Sequence, residues 1–298
     1  MAINKTGLKG LAFCLPWIIG LSVFTLYPFA ASIYYSFTDF SVLQPPAFIG
    51  TMNFEEIVQD AVFWKVLRNT FVYAALSIPL GLLMALGLAL AMNGVRRGQA
   101  SYSVVFYLPQ LIPGTVTAIL FMWIYHPEFG LLNCALRPFM QLFYGKWEAP
   151  AWLKDPDWAL PSLVFMGLWG VGQMAFIYLA KLQDVPQEMY EAAEIDGAST
   201  WQKIRYITIP MISPIIFFNV IMAIIGAFQL FTEPYIISPE GQPARSLYFL
   251  PVYIFDHAFQ FLRMGYACAM SWILFVIILT LTLLAFRMSK DRVYYAGK

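Results

Sequence analysis

Charge is scarce in this sequence. Asp, Glu, Lys and Arg together supply 12% of the 298 residues and hydrophobic residues supply 60%, whereas an ordinary soluble domain is about 25% charged. With a mean hydropathy of +0.67, the chain has too little polar surface for a water-soluble fold and reads as an all-α polytopic membrane protein. The net charge is only +1, so no nucleic-acid partner is expected. Cysteine is also rare. Cys14, Cys134 and Cys268 are odd in number and lack metal-ligand spacing, which excludes a disulfide framework and leaves them as packing residues. His126 and His257 stand alone, so a structural role is expected for each and no metal site.

Catalytic patterns are missing too. The Gly-Lys pairs are Gly145-Lys146, followed by Trp147, and Gly297-Lys298, and neither belongs to a G-x-x-x-x-G-K-[ST] phosphate loop. If ATP is used, another subunit binds it. With no Ser/His/Asp constellation and no carboxylate pair in a plausible pocket, intrinsic enzymatic activity is not expected. The apolar stretches carry almost no charge at their centres, and Glu233, the one candidate, is peripheral. Proton-coupled carriers need an intramembrane group that changes charge, so this weighs against a secondary transporter.

Apolar runs, by contrast, are plentiful. Six are long enough to cross a bilayer, which takes about 20 residues: Leu11 to Phe37, Thr70 to Met92, Val104 to Tyr125, Pro161 to Leu182, Ile215 to Ile237 and Tyr266 to Met288. The first follows Lys5 and Lys9 but exceeds the roughly 7 to 15 apolar residues of a signal peptide, so it is expected to be retained. With the N-terminus inside, the cytoplasmic segments hold 11 Lys and Arg and 6 acidic residues, the external segments 7 and 11. Net charge is then +5 inside and −4 outside, which places both termini in the cytoplasm. Arg96, Lys290, Arg292 and Lys298 count on the inner side and Lys146 on the outer. The chain contains no evident repeat or low-complexity tract and is taken as one domain, 1–298. Pro79, Pro109 and Pro113 each remove a backbone hydrogen bond within an apolar stretch, marking flexible or pathway-lining places.

Between the fourth and fifth stretches lies the polar segment EMYEAAEIDGASTWQKIRYITIPMISP, from Glu188 to Pro214. Pro186 suits the first position of a helix and Gly197 its C-terminal stop. Ser199 and Gln202 have capping-box spacing, so a second short helix is expected from Thr200 to before Pro210, with Ser213 and Pro214 opening the next apolar helix. Neither short helix is stable alone in water. Ala192 and Ala193 allow close approach, and Met189, Tyr190, Ile195 and Trp201 offer apolar area, which describes a docking element.

Glu191-Ala192-Ala193, Gly197, Ile207 and Pro210, together with Asp196 and Ala198, resemble the EAA loop of ABC importer membrane subunits. Ile209, where leucine is usual, is the one departure. Asn53-Phe54, Phe63-Trp64 and Asn69-Thr70 resemble the pattern ahead of the second helix in sugar-type permeases. Leu108 to Val116 (LPQLIPGTV) and Met264 to Phe275 (MGYACAMSWILF) resemble further segments of the same family. Phe63 and Trp64 read equally well as interfacial anchors.

The resemblance implies a carbohydrate-uptake permease of the prokaryotic cytoplasmic membrane. It further implies a second related permease, two ATP-binding subunits, an external solute-binding protein and a sugar or polyol substrate. No cofactor is expected on this chain, ATP and magnesium belonging to the partner ATPase. Met189, Glu191, Ala192, Ala193, Asp196, Gly197, Ala198, Ser199 and Trp201 are then the expected ATPase contacts. Trp169, Gly172, Gln173, Asn219, Gln229 and Glu233 are candidate substrate contacts, because glycines leave room beside aromatic rings and buried amides can bond sugar hydroxyls. Helix packing is the alternative account of each. The long loop His126 to Leu160, with Trp147, Trp152 and Trp158, suits an external partner, a lid, or simple packing on the outer face. A secondary carrier and a membrane-embedded enzyme are the rival classes, and neither accounts for the EAA-like segment.

Overall fold

The computed structural model describes residues 5–95, 97–145 and 148–289; Arg96, Lys146, Trp147, Lys290, Arg292, Gly297 and Lys298, and the side chains of Lys5 and Lys9, lie outside the described residues. In chain order the elements are α1 (Lys5–Leu21), α2 (Tyr27–Ser36), β1 (Thr38–Asp39), β2 (Ala47–Phe48), α3 (Met52–Gln59), α4 (Ala61–Asn93), α5 (Gln99–Tyr107), α6 (Gly114–Ile124), α7 (Leu131–Tyr144) and α8 (Pro156–Leu168). They continue as α9 (Gly172–Gln183), α10 (Gln187–Ile195), α11 (Thr200–Lys203), α12 (Ile209–Phe228), α13 (Thr232–Ile237), α14 (Leu250–Phe255) and α15 (Met264–Ser289). The chain is mostly helical. The exception is β1 and β2, an antiparallel pair with Thr38 opposite Phe48.

Among the described residues four helices are long and apolar enough to span a membrane: Ala12–Ser36, Ala61–Asn93, Thr200–Ile237 and Met264–Ser289. The number rises to six if two bent pairs each count as one span. The first pair bends where Pro109 and Pro113 interrupt the third stretch, and the second bends in the fourth stretch, where the sequence carried no sign of it. Gln99–Leu111 and Gly114–Ile124 meet at 97°, and Pro156–Leu168 and Gly172–Gln183 at 43°. Proline accounts for the sharper bend: Pro109 lies in a 3₁₀ turn (Leu108–Leu111) and Pro113 occupies the position before α6 in an extended conformation, so the α-helical ladder stops there.

Other prolines are absorbed rather than obeyed. A π-turn (Ile204–Thr208) joins α11 directly to α12, so the second short helix does not end before Pro210, and the next one does not start at Pro214. Widening the turn relieves the clash of the Pro210 ring with the carbonyl four residues earlier. Pro214 stays inside α12 because the Ser213 hydroxyl donates to the Pro210 carbonyl (2.6 Å) that Pro214 leaves without an amide. A π-turn at Ser22–Leu26 likewise precedes Pro28, in the first turn of α2. The fifth stretch also breaks after Phe228, which leaves Glu233 on the short α13.

By internal contacts the chain forms two compact units. The first comprises 1–63 and 253–275. Within it Trp272 Nε1 donates to Ser32 Oγ (3.2 Å), and Phe29 packs on Trp272 with ring centroids 4.8 Å apart. Asn53 is buried and donates to the carbonyls of Ser36 and Thr38, both at 2.9 Å, tying α3 to the end of α2. A β-carbon at Gly265 would collide with the Thr38 carbonyl, so this glycine of the MGYACAMSWILF segment permits a backbone contact.

The second unit comprises 64–252 and 276–298. Here Asn69 Nδ2 donates to the carbonyls of Arg245 (2.6 Å) and Tyr248 (2.9 Å), and the Leu250 amide donates to Thr70 Oγ1 (3.1 Å). The Asn-Phe and Asn-Thr pairs are thus scaffold clamps. Of the aromatic pair between them, Phe63 is buried and Trp64 exposed. Ala85 and Ala89 of α4 and Ala175 of α9 are fully buried in one cluster with Tyr178, Leu182 and Ile212, small side chains letting the helices close together.

Candidate coupling loop and translocation cavity

The polar segment folds as two short helices whose facing ends are capped. α10 starts after Pro186, which precedes the first helical residue rather than occupying it. Its C-terminus is a Schellman motif: the Gly197 amide donates to Glu194 (3.0 Å) and the Ala198 amide to Ala193 (2.8 Å), with Gly197 at φ +77°. α11 opens with the capping box, Ser199 N–H donating to Gln202 Oε1 (2.7 Å) and Gln202 N–H to Ser199 Oγ (3.4 Å). Lys203 Nζ lies 2.6 Å from Glu194 Oε1 and joins the two helices.

One face of this segment is anchored. Tyr190 and Ile207 pack on the cluster of α4, α9 and α12, and Tyr190 Oη shares a hydrogen bond with Thr208 Oγ1 (2.9 Å). Tyr190 therefore belongs to the anchor and not to the docking face. The other face is open. Ile195 is 88%, Trp201 71% and Tyr206 74% exposed, and Met189 is also exposed. Glu191, Ala192, Asp196, Gly197 and Ser199 are exposed, and Ala193 and Ala198 half-buried. Tyr206 was missed in sequence, since a residue beside a proline-bearing helix gave no sign of facing water. Glu191 and Glu194 line a cleft of about 670 Å³ with Gln187, Thr200 and Lys203.

A second site lies where three helices are interrupted. A cavity of about 200 Å³ is walled by Pro109, Gln110 and Gly114 at the first bend, Trp169 and Gly170 at the second, and Leu230 and Glu233 at the break after α12. Tyr73 of α4 and Thr117 of α6 complete its polar lining. Trp169 meets Phe121 edge-on at 5.9 Å. Helix breaks at membrane depth are tolerated where the freed backbone is buried in protein or lines a cavity. A further cavity of the same size, toward Ser77, Gly81 and Gly226, shares Tyr73 and Gly167 with the first.

Of the six candidate contacts, Trp169 and Glu233 come together in this cavity. Gln229 is exposed next to Leu230, and Gln173 is exposed and does not line it. Gly172 is a packing glycine, because a β-carbon there would run into the Phe106 carbonyl. Asn219 is buried with Nδ2 unpartnered and does not line the cavity. Tyr73, Gln110 and Thr117 were missed; for Gln110 the signal was its place between Pro109 and Pro113.

The first unit holds a charged cluster outside the membrane-spanning segments. Arg263 makes a two-pronged ion pair with Glu56, at 2.7 and 2.5 Å. Hydrogen bonding from Arg263 holds the Glu56 carboxyl below its usual pKa, and the same bond raises that of Arg263. Burial pushes the Asp60 carboxyl up, but hydrogen bonds from Tyr253 (2.5 Å), the Val62 amide (2.8 Å) and Tyr266 (3.0 Å) outweigh it and leave Asp60 lowered. His257 is buried against the rings of Tyr253 and Tyr266; desolvation first, and the Arg263 charge second, bring its pKa down to about 4.

Interrupted apolar helices around a small cavity, together with a capped pair of short helices between α9 and α12, are the features of a membrane transport subunit. The chain belongs to the family of binding-protein-dependent transport system inner membrane components, whose model matches residues 77–290. It is a multi-pass inner-membrane permease subunit of the ABC transporter class, in which the ATPase is a separate subunit. The probable ABC transporter permease protein YesP of Bacillus subtilis (strain 168) is 39% identical, covering 100% of this chain and 95% of its own. The lactose transport system permease protein LacF of Rhizobium radiobacter is 33% identical, with 95% of each chain covered. Among solved structures, a bacterial alginate ABC transporter in complex with an alginate pentasaccharide-bound periplasmic protein matches with a TM-score of 0.84 at 25% identity, covering 96% of both chains.

Proposed function

We propose that this chain is one of two related permeases of an importer that moves a sugar or polyol, delivered by an external solute-binding protein, across the cytoplasmic membrane. The observation that carries the reading is the loop of α10 and α11, with both facing helix ends capped, one face anchored and Ile195, Trp201 and Tyr206 left bare. Full burial of such side chains is worth about 1.5–3 kcal/mol each, enough for an ATPase subunit to hold the loop firmly. Met189, Glu191, Ala192, Ala193, Asp196, Gly197, Ala198, Ser199 and Trp201, with Tyr206 added, form the proposed contact. ATP and magnesium bind on that partner, and this chain needs no cofactor of its own. In this reading the bent pairs count as single spans, which gives six spans with both termini cytoplasmic in one permease domain. The sugar specificity of the relatives and the periplasmic protein of the alginate complex support the substrate class and the delivery route.

A cavity of about 200 Å³ is below the ~300 Å³ at which ordinary ligand pockets begin, so the second permease completes the site. Trp169 offers a stacking face, and Tyr73, Gln110, Thr117 and Glu233 offer hydrogen-bonding groups to hydroxyls. The test is affinity purification of the chain from its native membrane. Recovery of an ATPase that is lost when Glu191 and Gly197 are substituted fits the reading. A lone chain that moves solute by itself in liposomes contradicts it.

A further inference from the structure

We infer that α7 is an interfacial helix, lying along the bilayer surface on the membrane face opposite the coupling loop, with lipid as its partner. At 3.6 residues per turn, Leu131, Ala135, Phe139 and Leu142 fall on one stripe. Leu131 is 60%, Phe139 67% and Leu142 79% exposed. Leu132, Asn133, Leu136 and Met140 fall on a second, less exposed face, and Arg137 and Gln141 on a third, exposed one. The helix thus has a face for the protein, a face for water and an apolar face that none of the described residues covers, the pattern of helices that lie in a membrane interface.

The height of α7 decides in favour of lipid. The helix stands between the last turn of α6 and the first turn of α8, both ends of membrane-spanning segments. Asn133 is fully buried and fixes it there: Nδ2 donates to the carbonyls of His126 (3.3 Å) and Pro127 (3.0 Å), and Oδ1 accepts from Trp152 Nε1 (2.7 Å). Trp152 in turn accepts from Ser162 Oγ through its carbonyl (3.2 Å) and packs edge-on against Trp158 at 5.0 Å. Exposed tryptophans mark both flanking spans at this level, Trp123 at 58% and Trp158 at 43%, as expected of residues at the membrane boundary. The inference rests on α5 with α6, and α8 with α9, each forming one span, as proposed above.

The test uses spin labels in the assembled transporter in lipid nanodiscs, on a background of Cys14→Ala, Cys134→Ala and Cys268→Ala. Leu142→Cys, Gln141→Cys and Phe165→Cys are compared, the last being an exposed residue on α8. The expected result is preferential access to oxygen at 142 and 165, reversed to preferential access to an aqueous nickel chelate at 141. Water at 142 with lipid at 165 overturns the inference and leaves the span intact; water at 165 overturns the span itself. A second measurement avoids the cysteine background. Leu142→benzoylphenylalanine in the otherwise unaltered chain should cross-link to phospholipid, and capture of another subunit or of the solute-binding protein instead would assign the face to protein.

Discussion

A β-carbon added to Gly114 would stand 2.9 Å from Glu233 Oε1. The first residue of α6 is therefore kept bare by a carboxylate that reaches the N-terminus of that helix, where the backbone dipole favours negative charge. The neighbour is the end of a flexible side chain, so Gly114→Ala is expected to displace Glu233 rather than disrupt the fold. Alanine gains up to ~1 kcal/mol of helix propensity over glycine, which offsets the crowding. The expected outcome is unchanged thermal stability with an altered half-saturation for uptake in proteoliposomes. A fall in stability with uptake unaffected would count against a place for Glu233 in the pathway.

Ser199 and Glu194 allow two stabilising effects in the coupling loop to be ranked. Removing a capping hydroxyl costs typically ~1 kcal/mol. The Lys203–Glu194 pair, whose carboxylate side chain is 62% exposed, is worth about 0.5 kcal/mol or less after solvent screening. Ser199→Ala should therefore lower transport per ATP hydrolysed more than Glu194→Gln does. The reverse order, measured as the ratio of uptake to ATPase rate, would show that the ion pair holds the loop.

The cluster around His257 predicts an acid limit on stability. The unfolded imidazole titrates near 6.5 and the folded one near 4, so between these values the unfolded chain holds more protons. Stability is full above about pH 6.5 and falls as pH drops toward 4. Glu56 and Asp60, lowered from 4.5 and 3.8, extend the loss to lower pH. His257→Phe keeps an aromatic ring among Tyr253, Phe261 and Tyr266 and removes the titration. The melting temperature of the purified complex should then change less between pH 7 and pH 5 than that of the parent. An equal change in both would place the acid sensitivity elsewhere.

How much of this was legible in the sequence differs from element to element. The α10–α11 helix pair was, because it is built from local signals: a cap at Ser199 and a stop at Gly197. Its junction with α12 was not, since a π-turn absorbs Pro210 and a serine hydroxyl serves the carbonyl that Pro214 leaves free. Apolar length located the membrane segments, and Pro109 and Pro113 marked the place of the 97° bend but not its size; the 43° bend between α8 and α9 has no proline at the break to announce it. The cavity was least legible. Gln110, Thr117 and Tyr73 face it through tertiary arrangement, and Asn219, a plausible sugar ligand by residue type, is instead buried beside Tyr178.

The most direct test of coupling through the loop is a substitution series at Gly197, with uptake and ATPase measured together in the reconstituted transporter. No atom lies within 4 Å of a β-carbon built there, so the intrinsic penalty is the positive φ of 77°, about 1–2 kcal/mol for most residues and less for asparagine. That is too small to prevent insertion. Gly197→Asn should retain most uptake, Gly197→Ala less, and Gly197→Glu none, with all three variants present in the membrane at the parental level. Normal uptake by a stably inserted Gly197→Glu variant would contradict the account.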